Sequence, residues 1–183
     1  GQEAGIDQRG RGGIGVVRIS GPDAPAIAAA LTSLAAPLEP RRATFTTLHL
    51  DELTDHAVAT LFAAPRSYTG EDVVELSAHG SPVVLRGIVS AAVANGARLA
   101  EPGEFTLRAY LNGRLDLPQA EAVADLIEAV TPLQARAAFD QLDGTLTREI
   151  ATLDAALFDL IARLEASVDF PEEGYHFVEP GAL

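Results

Sequence analysis

The side chains with chemistry to offer in this chain are arginines and carboxylates, and they concentrate at three places. In Gly10-Arg11-Gly12-Gly13-Ile14-Gly15, with Arg18 just beyond, guanidinium groups lie beside main chain that no side chain shields. Such a segment lets a ligand or a second chain approach the backbone and offers cations to an anion. It reads equally well as a flexible terminal loop with solvated arginines. The same residues fit G-x-G-x-x-G, but the dinucleotide fingerprint needs a strand before it and a helix after it. Here a polar stretch precedes the glycines and a strand-like run follows, so the dinucleotide reading is set aside.

The second place is Ser67-Tyr68-Thr69-Gly70-Glu71-Asp72 leading into Val73-Val74-Glu75-Leu76. Strand alternation puts Val73 and Glu75 on one face and Val74 and Leu76 on the other. Glu75 therefore sits either on an exposed sheet face or in a pocket, where it would accept two N–H bonds from a flat heterocycle. The third place is Asn112-Gly113-Arg114-Leu115-Asp116-Leu117-Pro118, read as a helix stop followed by an extended hinge. Arg114 and Asp116 either pair to brace that hinge or leave Arg114 for a ligand. The four histidines, His49, His56, His79 and His176, are scattered without an H-x-x-x-H spacing, so no zinc site is expected. His79 reads as a capping or packing residue.

What is missing narrows the chemistry further. With no cysteine there is no disulfide, thiolate nucleophile or cysteine-built metal site. With no lysine there is no P-loop of the form G-x-x-x-x-G-K-[ST] and no Schiff base, so this chain alone is not expected to bind nucleotide as a P-loop NTPase. Methionine is absent even at position 1, which reads as a processed or trimmed piece. The 183 residues, 48% hydrophobic and 21% charged, suit one ordinary domain with an appendage. Of the net charge of −13, residues 1–117 carry −3 and residues 118–183 carry −10, with all but three of the arginines in the first part. An acidic second part repels phosphate backbones, so an anionic ligand is to be sought in the first. No apolar run reaches about 18 residues and no basic stretch precedes an apolar one at the start, so neither a membrane span nor a signal peptide is expected, and the expected compartment is the cytoplasm.

These residues need elements to hold them. After a polar, glycine-rich start over residues 1–13, strands are expected at 14–20, 44–50, 57–62, 73–77 and 98–100. Helices are expected from Asp23 to Pro37, with Asp23 as N-cap, and over 83–94, with Ser81 as N-cap and Pro82 at the first turn. The β-α-β-β-α-β order predicts a mixed-sheet α/β domain over 1–117, resembling a split βαβ arrangement, in the α+β or α/β class. From Pro118 onward the strand signals stop, and 118–183 reads as the start of a helical domain. Ala120, Val123, Ala124, Ile127 and Val130 mark a first helix, and Thr131-Pro132 restarts a second. Leu142, Leu146, Ile150, Leu153, Leu157, Leu160, Leu164 and Val168 suggest one helix of roughly 35 residues, or roughly 50 Å, projecting as an incomplete helical hairpin or arm. Its leucine stripe is expected to pack on a neighbouring copy or on helices outside this stretch, with Asp169 to Leu183 the most mobile segment.

The motifs taken in order carry a resemblance. Gly-Arg-Gly-Gly-Ile-Gly-Val-Val-Arg-Ile-Ser-Gly (10–21), Ser-Tyr-Thr-Gly-Glu-Asp-Val-Val-Glu-Leu (67–76), His-Gly (79–80), Pro-Gly-Glu-Phe-Thr (102–106), Asn-Gly-Arg-Leu-Asp-Leu (112–117), Gln-Ala-Glu-Ala-Val-Ala-Asp-Leu-Ile (119–127) and Asp-Phe-Pro-Glu-Glu (169–173) resemble the N-terminal part of the tRNA-modification GTPases of the MnmE (TrmE) family. The resemblance implies an N-terminal domain that binds 5-formyltetrahydrofolate and forms the homodimer. A helical domain would follow, with a GTPase domain inserted in it beyond this chain, where GTP, magnesium and potassium would bind. It implies that the whole protein, a bacterial hydrolase, works with the flavoprotein MnmG (GidA) on C5 of the wobble uridine, position 34, of certain tRNAs. Carried over position by position, the folate-binding residues are Arg18, Glu75 and Arg114, with no catalytic or metal-binding residue in this chain. Members more often have lysine at the position of Arg114 and glycine at that of Ser81. They also usually have a strand before the position of Gly10, which in this chain is expected to be missing or replaced. Two other readings stand beside this one: a purely structural dimerisation module, and a folate-dependent one-carbon transferase resembling the glycine-cleavage T-protein.

Overall fold

The computed structural model describes residues 2–6, 12–51 and 53–169. Six strands form one sheet: β1 (Gln2–Ile6), β2 (Ile14–Ser20), β3 (Thr44–His49), β4 (Thr54–Phe62), β5 (Val73–His79) and β6 (Ala97–Leu99). Their spatial order is β3-β4-β5-β2-β1-β6, antiparallel throughout except for the parallel β1–β6 pair. The sheet is therefore mixed, as the element order predicts, with one addition. The first residues are not a polar lead-in, and no edge strand is missing: β1 is an interior strand between β2 and β6. Gln2-Glu3-Ala4-Gly5-Ile6 lacks the run of β-branched residues that marks a strand on its own. It is drawn in by two neighbours, each supplying a ladder of backbone partners.

Alternation along the strands sorts the sheet into two faces. Val17 and Ile19 of β2, Ala57, Ala59 and Leu61 of β4, and Val74, Leu76 and Ala78 of β5 all turn to one side and are buried. Two helices cover that side. α1 (Ala24–Leu31) contributes Ile27, Ala28 and Leu31, and α2 (Pro82–Ala94) contributes Leu85, Ile88, Val89 and Ala92, the helical spacing that lays one stripe on the sheet. Ser81 caps α2 as expected, its hydroxyl accepting the Val83 N–H at 3.3 Å, with Pro82 in the first turn. Two details of α1 differ from the sequence reading. Asp23 occupies the N-cap position but makes no side-chain cap bond, and the helix stops at Leu31, not near Pro37. Thr32 ends it by turning extended and forming a β-bridge with Leu48.

A short helix α3 (Glu104–Leu111) follows β6 and closes at Asn112, with Gly113 in the left-handed region at φ +66°. Arg114 then lies in a bend, not in an extended hinge, its N–H bonded to the Ala109 carbonyl at 2.8 Å.

The chain divides into two units, residues 1–115 and 116–183. The second holds α4 (Leu117–Glu128), α5 (Pro132–Leu142) and α6 (Thr145–Asp169). Capping boxes start the first two: Asp116 with Gln119, and Thr131 with Gln134. The Gln119 side chain donates to the Leu142 carbonyl at 2.9 Å and the Gln141 side chain to the Pro118 carbonyl at 3.1 Å, so the start of α4 meets the end of α5 and the pair is antiparallel. The single long helix expected after Thr131 is in fact two. Gly144, at φ +82°, breaks it between Leu142 and Thr145, because a left-handed residue cannot continue a right-handed helix. The expected mobile tail, apart from Asp169, lies outside the described residues.

Candidate functional site

The face of the sheet turned away from α1 and α2 carries the site. Pairing registers put Gly5, Arg18, Glu75 and Thr60 in one row across β1, β2, β5 and β4. Arg18 and Glu75 are thus direct cross-strand neighbours, although 57 positions apart in sequence. The guanidinium meets the carboxylate through Nε at 2.8 Å and Nη2 at 2.6 Å, and both contacts fall on Oε1. Oε2 of Glu75 therefore has no hydrogen-bond partner among the described residues, and Glu75 lines the cleft. Phe105 and Tyr68 flank the Arg18 guanidinium, each ring centroid 5.8 Å from it.

Around this pair lies a cleft of about 260 Å³ lined by Arg18, Arg41, Phe62, Arg66, Ser67, Tyr68, Val73, Glu75 and Arg114. The loop between β4 and β5 forms one wall and is itself held firmly. Ser20 and Thr69 share a hydrogen bond at 2.7 Å, and Ser20 also donates to Glu71 at 3.0 Å. Glu71 meets Arg108 of α3 at 2.6 Å, and the Asn112 side chain donates to the Thr69 carbonyl at 2.7 Å. Gly70 makes this approach possible. It is at φ +81°, and a Cβ there would lie 3.0 Å from that of Asn112 and 3.2 Å from Cγ of Arg114. Held this way, the loop presents the Ser67 carbonyl to Arg114, whose Nε donates to it at 3.1 Å.

The structure accordingly brings Arg18, Glu75 and Arg114 into one cleft. The two alternatives for Arg114 separate cleanly: its Nε is bonded to Ser67, while Asp116 caps α4 and accepts a hydrogen bond from Thr147 at 2.5 Å. Sequence reasoning missed Arg41, Arg66 and Phe62. No spacing links them. The β3–β4 hairpin is what carries Arg41 back beside Arg66, where Arg41 Nη2 donates to the Arg66 carbonyl at 2.7 Å.

Arg11 and His176 lie outside the described residues, and the other marked residues discussed next have structural partners. The glycine-rich segment does permit a close approach, but what approaches is this chain: a Cβ on Gly80 would lie 2.4 Å from the Gly12 carbonyl oxygen, and one on Gly15 would lie 2.7 Å from Leu85. A strand precedes these glycines after all, but another strand follows, so the dinucleotide reading still fails. His79 ends β5 and its Nδ1 lies 2.7 Å from Asp55. Burial alone would push the Asp55 carboxyl up. The hydrogen bond with the His79 ring and the N–H groups of His56 and His79 outweigh it and hold the group below its ordinary range. No cluster of three or more metal-ligating side chains occurs among the described residues, and no helix among them is long and apolar enough to cross a membrane.

Fold and cleft together define a mixed-sheet α/β module with an arginine-lined cleft, followed by a helical region. Comparison with known families agrees and is more specific: residues 4–114 match the family model described as GTP-binding protein TrmE N-terminus, and residues 117–183 match the MnmE helical domain. The chain belongs to the MnmE (TrmE) family. It is 52% identical over 172 residues to the tRNA modification GTPase MnmE of Francisella tularensis subsp. novicida, covering 93% of this chain and 38% of that protein. It is 51% identical over 170 residues to the protein of the same name from Koribacter versatilis, covering 90% of this chain and 37% of that one. The chain therefore spans little more than a third of the length of these relatives.

Proposed function

We propose that residues 1–115 bind a reduced folate, 5-formyltetrahydrofolate, in the cleft between Arg18, Glu75 and Arg114, as the N-terminal module of a tRNA-modifying GTPase. The single observation that carries this reading is the state of Glu75. Arg18 holds its carboxylate through Oε1 and leaves Oε2 to accept N–H bonds from a pterin edge. Arginines in the same cleft suit the carboxylates at the far end of the molecule. The folate supplies a one-carbon unit or positions another donor of one. The residues of this chain bind and orient it.

In the whole protein, this module forms the homodimer, and GTP, magnesium and potassium bind in a domain outside this chain. Together with the flavoprotein MnmG the assembly modifies C5 of the wobble uridine of certain tRNAs in the cytoplasm. Titration calorimetry with 5-formyltetrahydrofolate tests the folate reading: the chain binds, and Glu75→Ala and Arg114→Ala each weaken binding at least tenfold, the loss of about one charged hydrogen bond. Absence of heat with the unmodified chain would sink it.

A second reading rests on a different observation. Ile14 and Phe45, on the sheet face that the helices leave bare, are 74% and 70% exposed, an apolar surface of the kind that subunits bury. On that reading the module only dimerises. Sedimentation would then find dimers insensitive both to folate and to Glu75→Ala.

A further inference from the structure

The cleft has more positive charge than a heterocycle and one carboxylate pair require. Four arginines line it, Arg18, Arg41, Arg66 and Arg114, against the single carboxylate of Glu75, in a chain whose net charge is −13. Arg18 is neutralised by Glu75. Among the described residues no carboxylate lies within ion-pair distance of Arg41, Arg66 or Arg114.

Arg41 is set in place with unusual care. It has the sole positive φ of a residue other than glycine among those described, +62°, a conformation unfavourable for an L residue that persists only where its surroundings impose it. Its N–H is tied to the Leu61 carbonyl at 2.7 Å, its Nη2 to the Arg66 carbonyl at 2.7 Å, and its guanidinium lies 5.8 Å from the Phe62 ring centroid. The next residue shows the contrast. Arg42 pairs with Glu39 at 2.8 Å on the surface, an ordinary i,i+3 ion pair. With Arg41 itself in the left-handed conformation, its side chain lines the cleft while that of Arg42 meets a carboxylate. Arg66, at the start of the loop that forms the cleft wall, is exposed beside it.

We infer that Arg41 and Arg66 form a subsite for an extended, multiply anionic tail, so that the cleft prefers a reduced folate carrying several γ-linked glutamates over one carrying a single glutamate. This rests on the folate reading above and adds to it the part of the ligand that sets affinity. Each further glutamate brings one more carboxylate. The Arg41 guanidinium, held by the Arg66 carbonyl and the Phe62 ring, and the exposed Arg66 beside it have no protein anion to satisfy them among the described residues, so they gain a partner without first giving one up.

The test is calorimetry on the chain with 5-formyltetrahydrofolate bearing one and bearing three glutamates. The triglutamate is expected to bind roughly three- to tenfold tighter, the scale of one or two solvent-exposed ion pairs, with the ratio shrinking at high salt. In Arg41→Gln/Arg66→Gln the ratio falls to about one, while Arg86→Gln, outside the cleft, keeps it. Equal affinity for the two ligands in the unmodified chain overturns this inference and leaves the folate reading standing. A ratio that survives the double substitution also overturns it, as does loss of monoglutamate binding in the double variant, because the arginines would then be holding the other end of the molecule. No binding of either ligand to the unmodified chain removes both readings.

Discussion

The two units of this chain use the same device, an amphipathic helix, with opposite results. In residues 1–115, α2 lays Leu85, Ile88, Val89 and Ala92 on the sheet and buries all four. In residues 116–183, α6 repeats apolar residues at equally good helical spacing and buries none: Leu153 is 65% exposed and Leu157 57%. The only buried side chains on α4 and α5 are Ala122 and Ala138, where the two helices touch. Periodicity states which face of a helix is apolar. Whether that face is covered depends on another surface, and within residues 116–169 none is supplied for α6.

The largest test of this contrast is truncation. Ile88→Ala is expected to destabilise the first unit by about 2–5 kcal/mol, the cost of a cavity in a closed core, whereas Leu157→Ala changes stability by no more than about 0.5 kcal/mol. Urea denaturation of each variant measures both. Equal losses would mean that the α6 stripe is covered in solution, and the contrast would be wrong.

A smaller effect is expected at Gly70→Ala, about 1–3 kcal/mol, from the left-handed backbone and the contact with Asn112. The loss should be confined to the first unit, and the displaced Arg114 should weaken folate binding along with stability. A variant with unchanged stability and unchanged binding would show that the loop wall is not what sets Arg114.

The smallest effect separates the units by pH. Asp55 and Glu104, both in the first unit, titrate below their ordinary ranges. Burial opposes this in each case, and is outweighed at Asp55 by the hydrogen bonds with His79 and His56, and at Glu104 by the Glu101 N–H and by Arg98 and Arg108. A lowered folded-state pKa means that the unfolded chain binds more protons in that interval. The stabilisation is therefore complete above the ordinary carboxylate range, near pH 4, and is lost as pH falls through the folded values. Melting temperature followed downward from pH 5 is expected to fall, and less steeply in Asp55→Asn. Identical slopes would show that the Asp55–His79 contact contributes nothing.

Much of the first unit was legible from local pattern. Ile14 to Ser20 and Val73 to His79 are strands because their β-branched and apolar residues suit a pleated, half-buried surface. The start of α2 was written in Ser81-Pro82, since the hydroxyl and the missing N–H satisfy the same open helix end. The segments that were misread depend on partners distant in sequence. Gln2 to Ile6 is a strand because β2 and β6 flank it, and α1 stops at Leu31 because Thr32 bridges to Leu48. Leu142 to Val168 was misread as continuous because the apolar repeat crosses Gly144 without a gap, and the left-handed turn there leaves no trace in hydrophobic spacing.

For the site, the sequence by itself determined which residue types were available: arginines and carboxylates, with no thiol and no lysine amine to compete with them. It also determined, by strand alternation, that Glu75 points to the face opposite Leu76. Only the tertiary structure decided that Arg18 stands directly across from Glu75, that Arg114 reaches the Ser67 carbonyl, and that Arg41 and Arg66 join them. The physical reason is that period and propensity are properties of neighbours in the chain, whereas a cleft is made by strand register and by loops that close over it. Those are settled by which long-range pairings bury the apolar face, and one residue's slip in register would have turned Arg18 into the core.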